Sequence, residues 1–361
     1  MRTARIGWVA ALALVAVSIA GPAQAAGGGL ACGDTVTTRG YLAHDLRCVY
    51  GIGITMLPGT TLDLRGHRLL GPGRGTGSAI TASGLTPQSG GTVRNGTVSG
   101  WHEVLDAGGD GVYATFDRLS ALNVDDVAGG LNMAVTMTRS AVTDSGSGFW
   151  SLAGGATVSD STFRRNDVAL SGSAAGRWTV DRSTFVGNGT AIEGSENVVV
   201  VRDSVFRSNH RGLNLWWCET QVKRTSFVSN SVAYSSSTWM GGSSIVDQLI
   251  GDTFRWNGVA VDVVDINAHL ADNTFEHNRT ALRSALPHEP WSPTVSMERN
   301  LFRFNGDAVV VNSSARIQGT TAVLNRGYGI YAPNATDLGG NVAWGNGIQP
   351  QCTGVVCAGR S

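Results

Sequence analysis

A short motif recurs along this chain as Ser161-Thr162-Phe163-Arg164-Arg165-Asn166, Ser183-Thr184-Phe185-Val186-Gly187-Asn188, Ser204-Val205-Phe206-Arg207-Ser208-Asn209 and Asn273-Thr274-Phe275-Glu276-His277-Asn278. Self-similarity at a fixed period constrains architecture before any local propensity does. Anchored on its apolar third position, the motif runs through Val98, Leu122, Val142, Phe163, Phe185, Phe206, Phe227, Phe254, Phe275, Phe302, Ala322 and Ala343. The spacings are 24, 20, 21, 22, 21, 21, 27, 21, 27, 20 and 21 residues. A period this short, with two insertions of six residues, predicts one solenoid turn per repeat and twelve or more turns.

Two columns of turn residues mark the register. Two positions before the anchor stand Gly96, Ser120, Ser140, Ser161, Ser183, Ser204, Thr225, Asp252, Asn273, Asn300, Thr320 and Asn341. All but the glycine carry a side chain able to bond neighbouring backbone. Three positions after it stand Trp101, Asp125 and Ser145, then nine consecutive asparagines from Asn166 to Asn346. Asparagine tolerates left-handed turns and its amides can bond from coil to coil, so this column is expected to be a ladder. Helical solenoids do not place Asn, Gly and β-branched residues in this way, and the LxxLxL signature of leucine-rich repeats is absent. The expected fold is therefore all-β, a single-stranded right-handed parallel β-helix. Each coil adds an inward pair such as Ala169-Leu170, Ala191-Ile192 or Ala308-Val309. A Phe and two aliphatics buried per coil contribute roughly 5 kcal/mol before entropy is subtracted, so the stack is the folding unit.

The N-terminal stretch has Arg2 and Arg5, an apolar run Trp8 to Ala20 and the triplet Ala23-Gln24-Ala25, which reads as a secretory signal peptide over residues 1–25. The expected order is then a cap with the opening coil over 26–70, the β-helix over 71–347 and a tail over 348–361. Charged residues make up 15% and the net charge is zero, which argues against a nucleic-acid partner. No later run is apolar for long enough to span a bilayer, so no membrane partner is expected after signal cleavage. Cys32 and Cys48 lie near one end of the mature chain and Cys352 and Cys357 near the other. Each pair is placed to close a short loop in an oxidising compartment, stapling ends that would otherwise be open strand edges. Cys218 reads as a small buried hydrophobe, because no histidine nearby in sequence would activate it.

Ala31-Cys32-Gly33-Asp34-Thr35-Val36, Asp45-Leu46-Arg47-Cys48 and Thr61-Leu62-Asp63-Leu64-Arg65-Gly66-His67 resemble the opening coil of secreted bacterial right-handed parallel β-helix repeat proteins, in the pectate-lyase-like superfamily. The resemblance covers nearly all of residues 30–346. It implies a β-helix and, as activities, polysaccharide lyases, hydrolases, epimerases or phage-type tail proteins; fold does not choose among them. Of the polygalacturonase-like set, Asp125-Asp126 is the only fragment, and Asp125 is assigned to the turn column. Mannuronan epimerases and related lyases carry a short Asp-Pro-His-Glu segment, against Leu286-Pro287-His288-Glu289 here, where Leu286 replaces the acid. Pectate-lyase-like sites pair calcium-binding carboxylates with an arginine base, which makes Ca2+ the cofactor the resemblance brings in; no zinc-type histidine pair is visible and no resident metal is expected. His44, His67 and His102 read as solvated or capping residues.

The two long coils place excursions at 231–251, with Trp239, and at 279–300, with His288, Glu289 and Trp291. Strand alternation turns the residues eight and ten after each anchor outward on one flat face. That strip holds Trp150, Glu193, Asn214, Asp262 and Arg283, with Trp216 beside them, and is the expected substrate-binding surface. Indoles would stack on sugar rings, while Glu193, Asn214 and Asp262 take hydroxyls or a cation and Arg283 a uronate carboxylate. Arg283, Asp262 and His288 are the catalytic candidates, in a lyase or epimerase type of reaction. Asp262 and Arg283 also read as a plain surface ion pair. The leading expectation is a secreted protein that binds an acidic polysaccharide, with or without processing it. Its rival is a non-catalytic cell-surface or cell-wall interaction protein. A periplasmic copper-delivery β-helix is disfavoured because the six methionines and seven histidines do not cluster.

Overall fold

The computed structural model describes residues 29–82, 84–86, 89–238, 246–285 and 293–359. Every strand pairing among them is parallel, and the strands advance coil by coil as a β-solenoid without helices. Each regular coil contributes three strands, for example Thr162–Arg164, Val168–Ser173 and Arg177–Asp181. The second strand of each coil joins one fifteen-stranded sheet that runs the length of the molecule. The expected parallel β-helix is therefore present. Both long coils stay in register on either side of their excursions, with Val222 opposite Leu249 and Leu270 opposite Met297. The excursions' own residues, Trp239 and 286–292 with His288, Glu289 and Trp291, lie outside the described residues, as does the signal segment 1–25.

The bore is filled by the anchors. Phe163, Phe185, Phe206, Phe227, Phe254, Phe275 and Phe302 are fully buried, and their rings stack at centroid separations of 4.5–4.9 Å. This spacing is the rise between neighbouring parallel strands, so one aromatic per coil in one rotamer must form a continuous rod. Cys218 is also buried and free, and burial pushes its thiol up to about 11, in keeping with a packing role.

Both turn columns are hydrogen-bonded ladders. The Nδ2 of Asn188 donates to Asn209 Oδ1 at 2.9 Å and to the Phe163 carbonyl at 3.1 Å, and the backbone N–H of Asn188 donates to the same Asn209 oxygen. The pattern repeats from Asn166 to Asn346, where Gln351 Oε1 receives the last amide. In the other column Ser161 Oγ donates to the Ser159 carbonyl and accepts from the Ser140 backbone N–H. The ladder asparagines themselves do not adopt the left-handed conformation expected of them. That conformation belongs to the residue just before each, such as Arg165, Ser208, Ser229 and Trp256. Asparagine stands in the column because its amide joins two coils and a carbonyl at once.

One part of the expected register is corrected. Val98 and Val142 both pair with Ala121 rather than with Leu122. Ala121 is buried, and the two turn columns therefore contain Leu119 and Val124, both buried, in place of Ser120 and Asp125. Asp125 is released to the surface, with consequences described below.

The ends are stapled as expected. Disulfides join Cys32 to Cys48 and Cys352 to Cys357. Cys352–Thr353 and Cys357–Ala358 are themselves the last strands on two faces, so the final staple ties the outermost coil to itself.

The asparagine ladder gives a direct test. Asn209→Val keeps a similar volume but removes the acceptor for Asn188 and the donors to Asn230 Oδ1 and the Phe185 carbonyl. Buried groups left unpaired cost about 1–3 kcal/mol, so a lowered urea midpoint is expected, while exposed Arg207→Ala leaves it in place. Equal midpoints for both variants would show that the ladder does not hold the coils.

Candidate functional site

Alternation along the second strand of each coil sends every other side chain out of the fifteen-stranded sheet. Parallel register then stacks these side chains into columns. One column runs Gly129, Trp150, Ser171, Glu193, Asn214, Ser235, Asp262 and Arg283. Trp216 stands beside it, in the column with Ser173, Ser195 and Ser237. The strip expected from sequence thus lies on one face.

Its members do not form one site. Trp150, Glu193, Asn214 and Trp216 line a groove of about 330 Å³ with Ser171, Ser173, Ser195 and Gly172. The two indoles at its ends are 40% and 50% exposed. Asn214 is only 7% exposed and donates through Nδ2 to Glu193 Oε1 at 3.2 Å, which fixes both side chains on the groove floor. Gly129 sets the pose of Trp150, since a Cβ there would lie 1.9 Å from the indole Nε1. Asp262 and Arg283 lie beyond Ser235 and bond each other at 2.5 Å. The hydrogen bond to Asp262 raises the affinity of Arg283 for its proton. An arginine held in that way is poorly disposed to act as a base.

A second cluster adjoins the groove, and the one-residue correction exposes it. Asp125 is not a turn residue. Its Oδ1 accepts from Arg74 Nε at 2.8 Å, and its Oδ2 accepts from the Gly75 backbone N–H at 2.7 Å and lies 3.0 Å from His102 Nδ1. His102, expected as a solvated or capping residue, is thus tied to a carboxylate. Asp126 opens the strand Asp126–Leu131 and stands directly opposite Glu103 on the preceding coil. Both are half-buried, and desolvation is the main cause raising each carboxyl pKa, with repulsion from Asp106 adding at Glu103 and from Asp125 at Asp126. The bond to Asp125 raises the His102 pKa, and the bond to His102, with Arg74, lowers that of Asp125. Arg74, Asp125, Asp126, Ser147, Trp150 and Ser171 line a depression of about 450 Å³. Trp150 and Ser171 also line the groove, so the two hollows are continuous.

No family model matches the chain, and no curated protein matches it. Among solved structures, the chain is similar to the catalytic domain of a GH87 alpha-1,3-glucanase in complex with tetrasaccharides, at 12% identity and a TM-score of 0.47, over 89% of this chain and 70% of that one. It is similar to the catalytic unit of a thermostable GH87 alpha-1,3-glucanase from Streptomyces thermodiastaticus strain HF3-3, at 11% identity and a TM-score of 0.37, over 90% of this chain and 61% of that one. The chain therefore spans less than two thirds of the second glucanase. It is also similar to the A-module of the Azotobacter vinelandii mannuronan C-5 epimerase, at 14% identity and a TM-score of 0.29, over 87% and 92% of the two chains.

Proposed function

We propose that this protein is exported, its signal segment at 1–25 being removed, and that it binds a polysaccharide lengthwise in the groove between Trp150 and Trp216. The observation that carries this reading is the pair of exposed indoles at the two ends of a polar floor. Three coils separate them, ~14 Å at the strand spacing, which suits a short run of sugar rings. Indole faces take the apolar faces of the rings, while Glu193, Asn214 and the serines take hydroxyls. The serines, the Glu193–Asn214 pair and the rigid sheet beneath them leave little to reorganise on binding. Two disulfides fit an oxidising compartment outside the cytosol.

Charge refines the ligand. The groove's charged group is Glu193, and the adjoining hollow adds Asp125, Asp126 and Asp167 against one cation, Arg74, which is bonded to Asp125, whereas Arg283 is committed to Asp262. A neutral chain suits such a surface better than the acidic one expected from sequence, because a uronate would meet carboxylates. Retention on immobilised neutral and acidic polysaccharides tests both points. Trp150→Ala and Trp216→Ala are each expected to weaken binding of a neutral chain about tenfold, or 1.4 kcal/mol, with Arg283→Ala unchanged. A ligand lost with Arg283→Ala and kept by both tryptophan variants would move the site to the Asp262–Arg283 end. Turnover of the retained polysaccharide, read by reducing ends and by unsaturated-product absorbance, separates processing from binding.

A further inference from the structure

We propose that His102, Glu103 and Asp126 form a binding site for a first-row divalent cation of the Zn2+ class, at the end of the hollow that continues the Trp150 groove. Each of the three offers one ligand atom within 4.8 Å of the other two. In a tetrahedral site with metal–ligand bonds of ~2.0–2.1 Å the ligand atoms would stand ~3.4 Å apart. Side-chain movements that together amount to roughly 1.4 Å would bring the widest pair to that spacing.

The backbone is fixed by the coils. His102 N–H donates to the Gly77 carbonyl, and Asp126 N–H donates to the His102 carbonyl at 2.9 Å. Parallel register places Glu103 and Asp126 directly opposite each other and outward on neighbouring strands. Like charges in that position destabilise a sheet unless something positive lies between them. Arg74, the nearest guanidinium, is already bonded to Asp125, and Asp106 adds a further carboxylate beside Glu103. Protonated His102 is the positive group beside them, and when the imidazole is neutral, as a metal ligand must be, a dication supplies the balance instead.

The imidazole is oriented for the same task. With Nδ1–H donated to Asp125, His102 turns Nε2 toward Glu103, whose Oε1 lies 3.7 Å away. A carboxylate behind a ligating histidine fixes its tautomer and ring orientation and is a recurring feature of metal centres. Asp125 is the positioning residue, itself held by Arg74 and the Gly75 N–H. One imidazole and two carboxylates favour Zn2+ or Mn2+ over Ca2+, which takes six to eight oxygens. Three protein ligands leave an open coordination position, and Asp126 faces the hollow shared with Ser147 and Trp150, where water or a sugar hydroxyl can enter.

The site does not depend on the polysaccharide reading, since metal binding is measured without sugar. The untagged mature chain, cleared of metal by chelator and dialysis, is titrated calorimetrically with Zn2+, Mn2+ and Ca2+. One Zn2+ per chain is expected, with Ca2+ at least tenfold weaker. His102→Ala and Asp126→Asn should each abolish stoichiometric binding while the metal-free chain stays folded, and Asp126→Asn should raise the metal-free melting temperature slightly because it relieves the repulsion from Glu103. Asp125→Asn should weaken Zn2+ binding about 10- to 100-fold without abolishing it. It should also shift the visible absorption bands of the Co2+-loaded protein, a change that loss of mere structural support would not produce. Absence of stoichiometric Zn2+ binding overturns the proposal. So does Zn2+ binding that survives both His102→Ala and Asp126→Asn, or Ca2+ binding as tight as Zn2+ and indifferent to His102→Ala.

Discussion

Asp252→Asn is expected to stabilise the protein at neutral pH on the order of 4 kcal/mol and to leave it nearly unchanged at pH 4. Asp252 occupies a rung of the serine-type ladder, between Thr225 and Asn273. Its Oδ1 accepts from the Thr225 N–H at 2.8 Å, but its Oδ2 is buried without a partner. One coil further on, Asn273 fills the same rung and donates its Nδ2 to the Leu249 carbonyl. Val222 is opposite Leu249, so its carbonyl is the one that Asp252 would reach if it carried a proton. Burial pushes the Asp252 carboxyl up to about 8, from 3.8.

The folded chain therefore holds a proton that the unfolded chain releases. A pKa raised by folding contributes stability that is fully present below pH 3.8 and is lost as pH rises through about 8. Asparagine supplies the same donor without titrating, so the advantage of the variant grows across that window. Asp247 is buried among the hydroxyls of Tyr234, Ser236 and Thr220, none of which closes a hydrogen bond of ordinary geometry, and burial lifts its carboxyl to about 6. It adds a second break in the stability curve that parent and variant share and that cancels in their difference. Urea midpoints at pH 4, 6 and 8 provide the check. A difference that stays constant over the three would mean that Asp252 is ionised and solvated in the folded state.

The parts of this molecule legible in its sequence are those the coil repeats. A Phe on most turns, an Asn three residues on and a Ser, Thr, Asp or Asn two residues back recur because each coil faces the same neighbours, and this repetition makes the ladder from Asn166 to Asn346 visible in the sequence. The outward strip followed from strand alternation alone, although alternation could not reveal that Asp262 and Arg283 pair with each other or that Asn214 reaches Glu193. The slip came at an irregular coil. Ser120-Ala121-Leu122 followed by Asp125 mimics the motif one residue out of step, and the pairing of Ala121 with Val98 and Val142, with the burial of Leu119, Ala121 and Val124, separates the two registers. That slip hid the cluster at His102. The cluster has no linear signature, since Arg74 meets Asp125 across 51 residues and the metal-type ligands come from two coils.

Phe206→Ala is expected to lower stability by about 3–5 kcal/mol, more than the same change at Phe302. The ring of Phe206 lies between those of Phe185 and Phe227, at 4.8 and 4.9 Å, and is fully buried. Truncation removes both stacking contacts and opens a cavity that the flanking rings cannot fill, because their rotamers are set by their own neighbours. Phe302 stacks on Phe275 on one side only, with Ala322 following in the same column, so its removal breaks one contact. A solenoid couples each coil only to its neighbours, and a defect in the middle weakens cooperation between the two halves as well as the total. The urea transition of Phe206→Ala should therefore broaden as its midpoint falls, whereas that of Phe302→Ala should shift less and keep its slope. Equal losses at the two positions, with unchanged slopes, would mean that the aromatic rod does not carry cooperativity along the stack.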